Sequence, residues 1–111
     1  MENKKLYPAI TQELAEKRAS LAPEIMQSWN HFSKTVFNGG ALSEKTKQLI
    51  AVAVAHVTQC PYCIRSHTKS ALRKGASKEE IMEAIWVASE MRAGAAYAHS
   101  VIAIDEMEKQ R

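Results

Sequence analysis

Apolar residues recur every three or four positions along most of this chain, and no segment alternates apolar and polar residues convincingly over the length of a strand. Period 3.6 describes a helix with one buried stripe, so the pattern restricts the chain to helices packed on helices. Glycine occurs only four times in 111 residues, and Ala, Glu, Lys and Gln fill the intervening positions. The expected fold is all-α: a small bundle of five to six helices in a single domain spanning residues 1–111.

Local punctuation divides the pattern. A first helix is expected over Ile10 to Arg18. A second opens at Pro23, a good first-turn residue, and places Ile25, Met26, Trp29 and Phe32 on one stripe before Asn38-Gly39-Gly40 breaks it. Ser43 suits the N-cap of a third helix running to Val57, whose segment QLIAVAVAHV is apolar almost all round and predicts a buried central helix. After Thr58-Gln59, Pro61 opens a fourth helix that should reach Lys74 and stop at Gly75. Ser77-Lys78-Glu79-Glu80 has the S-x-x-E pattern of a capping box, and Ile81, Ala84, Ile85 and Ala88 form the inner stripe of the helix it starts. Gly94 is expected to interrupt or kink that pattern, leaving a last helix over Ala95 to Lys109. The small-residue run Arg92-Ala93-Gly94-Ala95-Ala96 permits close helix approach, suiting a bundle seam or a subunit interface, and lacks the strand-turn-helix context of a phosphate loop.

Charge excludes some functions. The net charge is +3, with 15 basic and 12 acidic residues, and no run of five like charges occurs. The few aromatics do not interleave with basic residues, so nothing points to nucleic acid. The opening MENKKLYPAI lacks an apolar h-region, and the longest strongly apolar stretch, Leu49 to Ala55, is far short of a membrane span. The expectation is a cytoplasmic protein without a membrane partner. Thiols stay reduced in the cytosol, so two cysteines there suggest catalysis or metal binding rather than a structural staple.

Those cysteines, Cys60 and Cys63, stand at i and i+3, with His67 at i+7. On a helix starting at Pro61 all three share one face. The helix N-terminus, with its unpaired N–H groups and positive dipole end, lowers the pKa of a thiol placed there. His67, four residues after Cys63, lies within proton-exchange range of that sulfur. One sulfur to attack, a second to resolve and a base to manage protons are the parts of a dithiol–disulfide enzyme. The alternative is zinc, with Cys60, Cys63 and His67 as ligands and His56 or His99 as a fourth. Three ligands on one helix are unusual for a closed tetrahedron, so no metal is expected. His56 reads as a helix-terminal histidine that could line a pocket, His31 as a packing residue, and His99 as structural or at a subunit contact. Tyr62 either covers the site or is simply exposed at the helix start. Trp29, Phe32, Phe37 and Trp86 read as core or subunit contacts.

The run LIAVAVAHVTQCPYCIRSHTKSALRKGASKEEIMEAI, with its C-x-x-C-x-x-x-H element and the following Gly-x-S-x-E-E-I, resembles the core of the AhpD-like, carboxymuconolactone decarboxylase superfamily over about residues 42–98. The resemblance implies an all-helical homo-oligomer (trimer or hexamer) with thiol-dependent peroxidase activity. Its substrate would be a small hydroperoxide, its reductant an external dithiol or thioredoxin-like protein, and no bound cofactor would be needed. It also implies Cys63 as the peroxide-reactive sulfur, Cys60 as its disulfide partner and His67 as the proton relay. The helix dipole favours a thiolate at Cys60, whereas nearness to His67 favours Cys63; the reading leans to Cys63. The decarboxylase branch of the superfamily does not use a cysteine pair in this way. One departure stands out: the family's relay glutamate, twelve residues before the first cysteine, is Gln48 here. Glutamine can hydrogen-bond a water or His67 but cannot accept a proton at neutral pH. Glu44 and Glu90 are the candidates to replace it.

Overall fold

A computed structural model describes residues 6–110, and among them every regular element is a helix: α1 (Gln12–Leu21), α2 (Pro23–Phe37), α3 (Glu44–Thr58), α4 (Pro61–Arg73) and α5 (Lys78–Lys109). The first five residues of the opening MENKKLYPAI lie outside the described residues. No helix among the described residues is long and apolar enough to cross a membrane.

The chain divides into two compact units, the first ending at Val36 and the second beginning at Phe37. In the first, Thr11 caps α1 by accepting a hydrogen bond from the Leu14 N–H, and neither helix contains a fully buried residue. The stripe on α2 exists, but Trp29 and Phe32 are each 58% exposed and pack tilted on one another with ring centroids 5.8 Å apart. Neither is a core residue in the single chain.

The second unit is built around α3, which packs on both α4 and α5. The Ser43 side chain accepts from the Thr46 N–H at the start of α3, and Gln59 ends it in the left-handed conformation, φ 57°. Cys60 then caps α4 with Pro61 at its first position. Gly75, at φ +93°, turns the chain out of α4 where a side chain would be strained. Ser77 and Glu80 form the reciprocal capping box of α5.

Val52 and Ala71 are fully buried and, with Ala76 and Ile81, make a small core backed by Leu49 and Ile85. The expectation of a wholly buried α3 fails. Gln48, Val52 and Ala55 face inward, while Ile50 and Val54 remain about half exposed, because α4 and α5 cover only one side of the helix.

The second correction concerns Gly94, which neither breaks nor ends a helix. α5 runs unbroken for 32 residues. A single glycine inside a helix costs only about 1 kcal/mol relative to alanine, too little to outweigh alanine neighbours on both sides. Every residue from 95 to 109 is exposed, including Tyr97, Val101, Ile102, Ile104 and Met107. Trp86 on the same helix is 67% exposed, again not a core residue.

A methyl group on Gly94 would lie 3.4 Å from Glu90 Oε2, the mobile end of a side chain. Gly94→Ala should therefore raise stability by roughly 0.5–1 kcal/mol, read as a higher urea midpoint at unchanged slope. A lower midpoint would contradict a continuous helix at this position.

Candidate active site

The end of α3 and the start of α4 are joined by a single turn. With Gln59 left-handed, the Cys60 N–H reaches back to the Ala55 carbonyl at 3.2 Å, and the chain enters α4 immediately. Cys60 becomes the N-cap, its sulfur accepting a hydrogen bond from the Cys63 N–H at 3.3 Å. This is the place where a serine or aspartate oxygen usually satisfies an unpaired helix N–H.

Both cysteines are free thiols and half-buried. They differ in acidity. Cys60 is held below the usual thiol range, chiefly because the Cys63 side chain donates to its sulfur, with the Cys63 N–H adding to the effect. Cys63 is pushed up because it is the donor to Cys60, and burial and the neighbouring negative charge act in the same direction. When the pair gives up one proton, the charge is therefore favoured on Cys60, the sulfur nearest the helix end, and the remaining proton on Cys63.

His67 lies one turn beyond Cys63 on the same face of α4. Its Nδ1 is 2.8 Å from Oε1 of Gln48, which is buried on α3 with 7% of its surface exposed. An amide oxygen can only accept, so Nδ1 carries the proton and the neutral ring keeps Nε2 as its free basic nitrogen. Phe37 stacks on the imidazole, with centroids 5.1 Å apart and planes at 27°. Burial pushes the His67 pKa below its ordinary value of 6.5.

The other candidates are dispersed. Glu44 pairs with Lys74 Nζ at 3.3 Å, at the opposite end of α4 from the cysteines. Glu90 is exposed on α5. The side chain bonded to His67 is that of Gln48. His56 is half-buried in the last turn of α3, and its Nδ1 donates to the Val52 carbonyl at 2.7 Å. Tyr62 is half-buried in the first turn of α4; His31 and His99 are exposed. Among the described residues, no three His, Cys, Asp or Glu side chains converge as a metal site would require.

Two contributors were not assigned to the site from the sequence. Phe37 reads there as packing, and its place over His67 depends on the Asn38-Gly39-Gly40 turn, where Lys47 Nζ donates to the Asn38 carbonyl at 2.6 Å. Arg92 donates to the Val57 carbonyl at 2.7 Å, tying α5 to the last turn of α3 beside the dithiol turn. A basic residue in a run of small ones gives no sign of that.

The profile of the carboxymuconolactone decarboxylase family matches residues 23–106, or 84 of the 111 residues. The chain belongs to that family. A family protein from Legionella pneumophila is 32% identical with a TM-score of 0.68, and the likeness covers 86% of this chain and 85% of that one. A Thermotoga maritima family protein, described with a possible part in an antioxidative response, is 28% identical with a TM-score of 0.55, covering 78% of this chain and 95% of that one. An uncharacterized protein of the cox locus of Paracoccus denitrificans is 74% identical over 68 residues, and the match spans 61% of each chain. The family thus accounts for the all-helical fold and includes enzymes.

The His67 environment has a measurable consequence. Its folded pKa is depressed, so as pH falls through 6.5 the unfolded chain takes up a proton that the folded chain resists. The unfolded state then binds more protons, and stability declines with falling pH until the folded ring also protonates. Denaturant titrations from neutral pH to about pH 5 should show this decline, and His67→Asn should flatten it. Identical profiles for the two proteins would contradict the assignment.

Proposed function

We propose that this protein is a thiol-dependent peroxidase that reduces small hydroperoxides through a Cys60–Cys63 dithiol–disulfide cycle. The observation that carries the reading is the pair of free thiols in the first turn of α4, Cys60 accepting from the Cys63 N–H and the more acidic of the two, with an imidazole held by Gln48 one turn away.

In the proposed cycle the Cys63 proton passes to Nε2 of His67, and the Cys63 sulfur attacks the O–O bond. A sulfur–oxygen bond forms, the O–O bond breaks, and the departing alkoxide takes the proton from His67 to leave as an alcohol. Cys63 is then a sulfenic acid. Cys60, the more acidic of the two, attacks that sulfur as its thiolate, forms the disulfide and expels hydroxide, which solvent protonates to water. These roles reconcile two opposing influences. The Cys63 donors at the helix end favour charge on Cys60, the resolving sulfur, while His67 serves the sulfur whose reaction needs a proton delivered. Gln48 orients the imidazole and takes no proton itself. An external dithiol or thioredoxin-like protein returns the disulfide to two thiols.

The proposal extends to self-association in the cytoplasm. Trp86, Val87, Met91, Val101 and Ile102 on α5 each expose more than 60% of their surface, and burying such a set against copies of the chain removes it from water. The trimer or hexamer implied by the sequence resemblance would do so.

A second reading, a redox-responsive or zinc-binding protein without efficient turnover, is favoured by Gln48 standing where the family relay has glutamate. The absence of a convergent ligand set among the described residues weighs against its zinc form.

Thiol titration tests the proposal. One equivalent of an organic hydroperoxide should consume both thiols of the wild type as an intramolecular disulfide. Cys60→Ser should accumulate a trappable sulfenic acid at Cys63, and both cysteine variants should lose at least about 100-fold in turnover. Two unreacted thiols with stoichiometric zinc would overturn the reading in favour of metal binding.

A further inference from the structure

Between Glu44 and Glu79 the chain contains seven lysines and arginines and no acidic residue: Lys45, Lys47, Arg65, Lys69, Arg73, Lys74 and Lys78. The whole chain is nearly balanced at +3, so this charge is concentrated in the segment that carries the dithiol. The fold neutralises part of it. Lys45 pairs with Glu80 at 3.0 Å and Lys74 with Glu44 at 3.3 Å, while Lys47 holds the Asn38 carbonyl.

The fold leaves α4 differently provided. Arg65, Lys69 and Arg73 follow at spacing four, so they form one stripe, and all three are exposed. Arg73 donates to Ser70 Oγ at 3.1 Å, and none of the three has an ion-pair partner among the described residues. Arg65 is two positions past Cys63, about 200° around the helix, so the stripe lies away from the His67 side that packs on α3. It runs about 12 Å along α4 and leads toward the N-cap, where Cys60 is half-exposed at the helix end. Leu72 is the one large exposed apolar residue on this helix among the described residues, in contrast to α2 and α5. The surface suits charge-led docking rather than apolar burial.

We propose that this outer face of α4 docks an acidic protein carrying a dithiol, which reduces the Cys60–Cys63 disulfide; the inference rests on the dithiol reading above. A row of separated cations on a convex helix matches a macromolecular surface, because a small anionic thiol would need a concave site. No aromatic residue interleaves with the three cations to stack bases, which favours a protein over a nucleic acid. Complementary charge accelerates the encounter and orients it, placing the partner's thiolate at the helix end. That thiolate attacks Cys60, breaking the disulfide and releasing Cys63 as a thiolate that takes up a proton. The partner's second thiol, giving up its proton, attacks the mixed disulfide and expels Cys60 as a thiolate. The partner leaves as a disulfide and this chain regains two electrons.

The test uses the full chain, oxidised to its disulfide with diamide so that the result stands apart from peroxide activity. Reduction rates are measured with an acidic thioredoxin and with dithiothreitol, for wild type and an Arg65→Glu/Lys69→Glu variant, at low and high salt. The proposal expects the thioredoxin rate to fall about tenfold or more in the variant and with salt, because steering is lost. The dithiothreitol rate should be the same for both proteins, which also shows that the variant is folded. Equal thioredoxin rates for both proteins overturn the proposal, as does no reaction with thioredoxin where dithiothreitol succeeds. Binding of a DNA duplex that the variant loses, with thioredoxin rates unchanged, would assign the stripe to nucleic acid instead. A chain that forms no disulfide with diamide sinks the dithiol reading itself.

Discussion

The hydrogen bond between His67 Nδ1 and Gln48 Oε1 joins the chemistry of the site to the architecture. Gln48 is the one buried polar side chain among the described residues, on the inward face of α3 one turn before Val52. Burying an amide without a partner is costly, and burying a histidine beside it would add to that cost. Each satisfies the other, so the same contact helps set α4 against α3 and orients the imidazole. With Phe37 on its face and Gln48 at one edge, the ring is held in one orientation, with Nε2 left free.

Around that contact the dithiol is positioned by backbone constraints. Gln59 takes the left-handed conformation, the Cys60 N–H closes on Ala55, and Pro61 starts α4 without needing a donor. The arrangement places a sulfur where helices normally place an oxygen cap. It also separates the acidities of the two cysteines, although both occupy the same turn. The difference arises from hydrogen bonding between them, with burial and repulsion adding to it on Cys63.

Most helix boundaries were legible because short-range chemistry sets them. Ser43, Pro61, Gly75 and the Ser77–Glu80 capping box act within one turn of themselves. Two features were misread, one through a local balance of propensities and one through packing. Gly94 carries a helix-breaking propensity that its alanine neighbours outweigh. The apolar circumference of α3 does not reveal that only one side is covered within the chain. In the site, the shared face of Cys60, Cys63 and His67 follows from spacing alone, and Gln48 could be recognised as a hydrogen-bond partner from its chemistry. Phe37 and Arg92 could not, because their contacts depend on how a turn and a distant helix return to the same place. Glu44 and Glu90 showed the converse. Their residue type suited a relay, but the fold spends Glu44 on Lys74 and leaves Glu90 exposed on α5.

The central claim is that Gln48 fixes His67 with the proton on Nδ1 and the basic lone pair on Nε2. Nitrogen–proton correlation spectra of the imidazole in reduced wild-type protein, recorded above the histidine pKa, read this tautomer directly. The account predicts a protonated Nδ1 and an unprotonated Nε2, with the preference lost in Gln48→Leu. A wild-type ring protonated at Nε2 would contradict it, because the nitrogen required to take up the Cys63 proton would already be occupied.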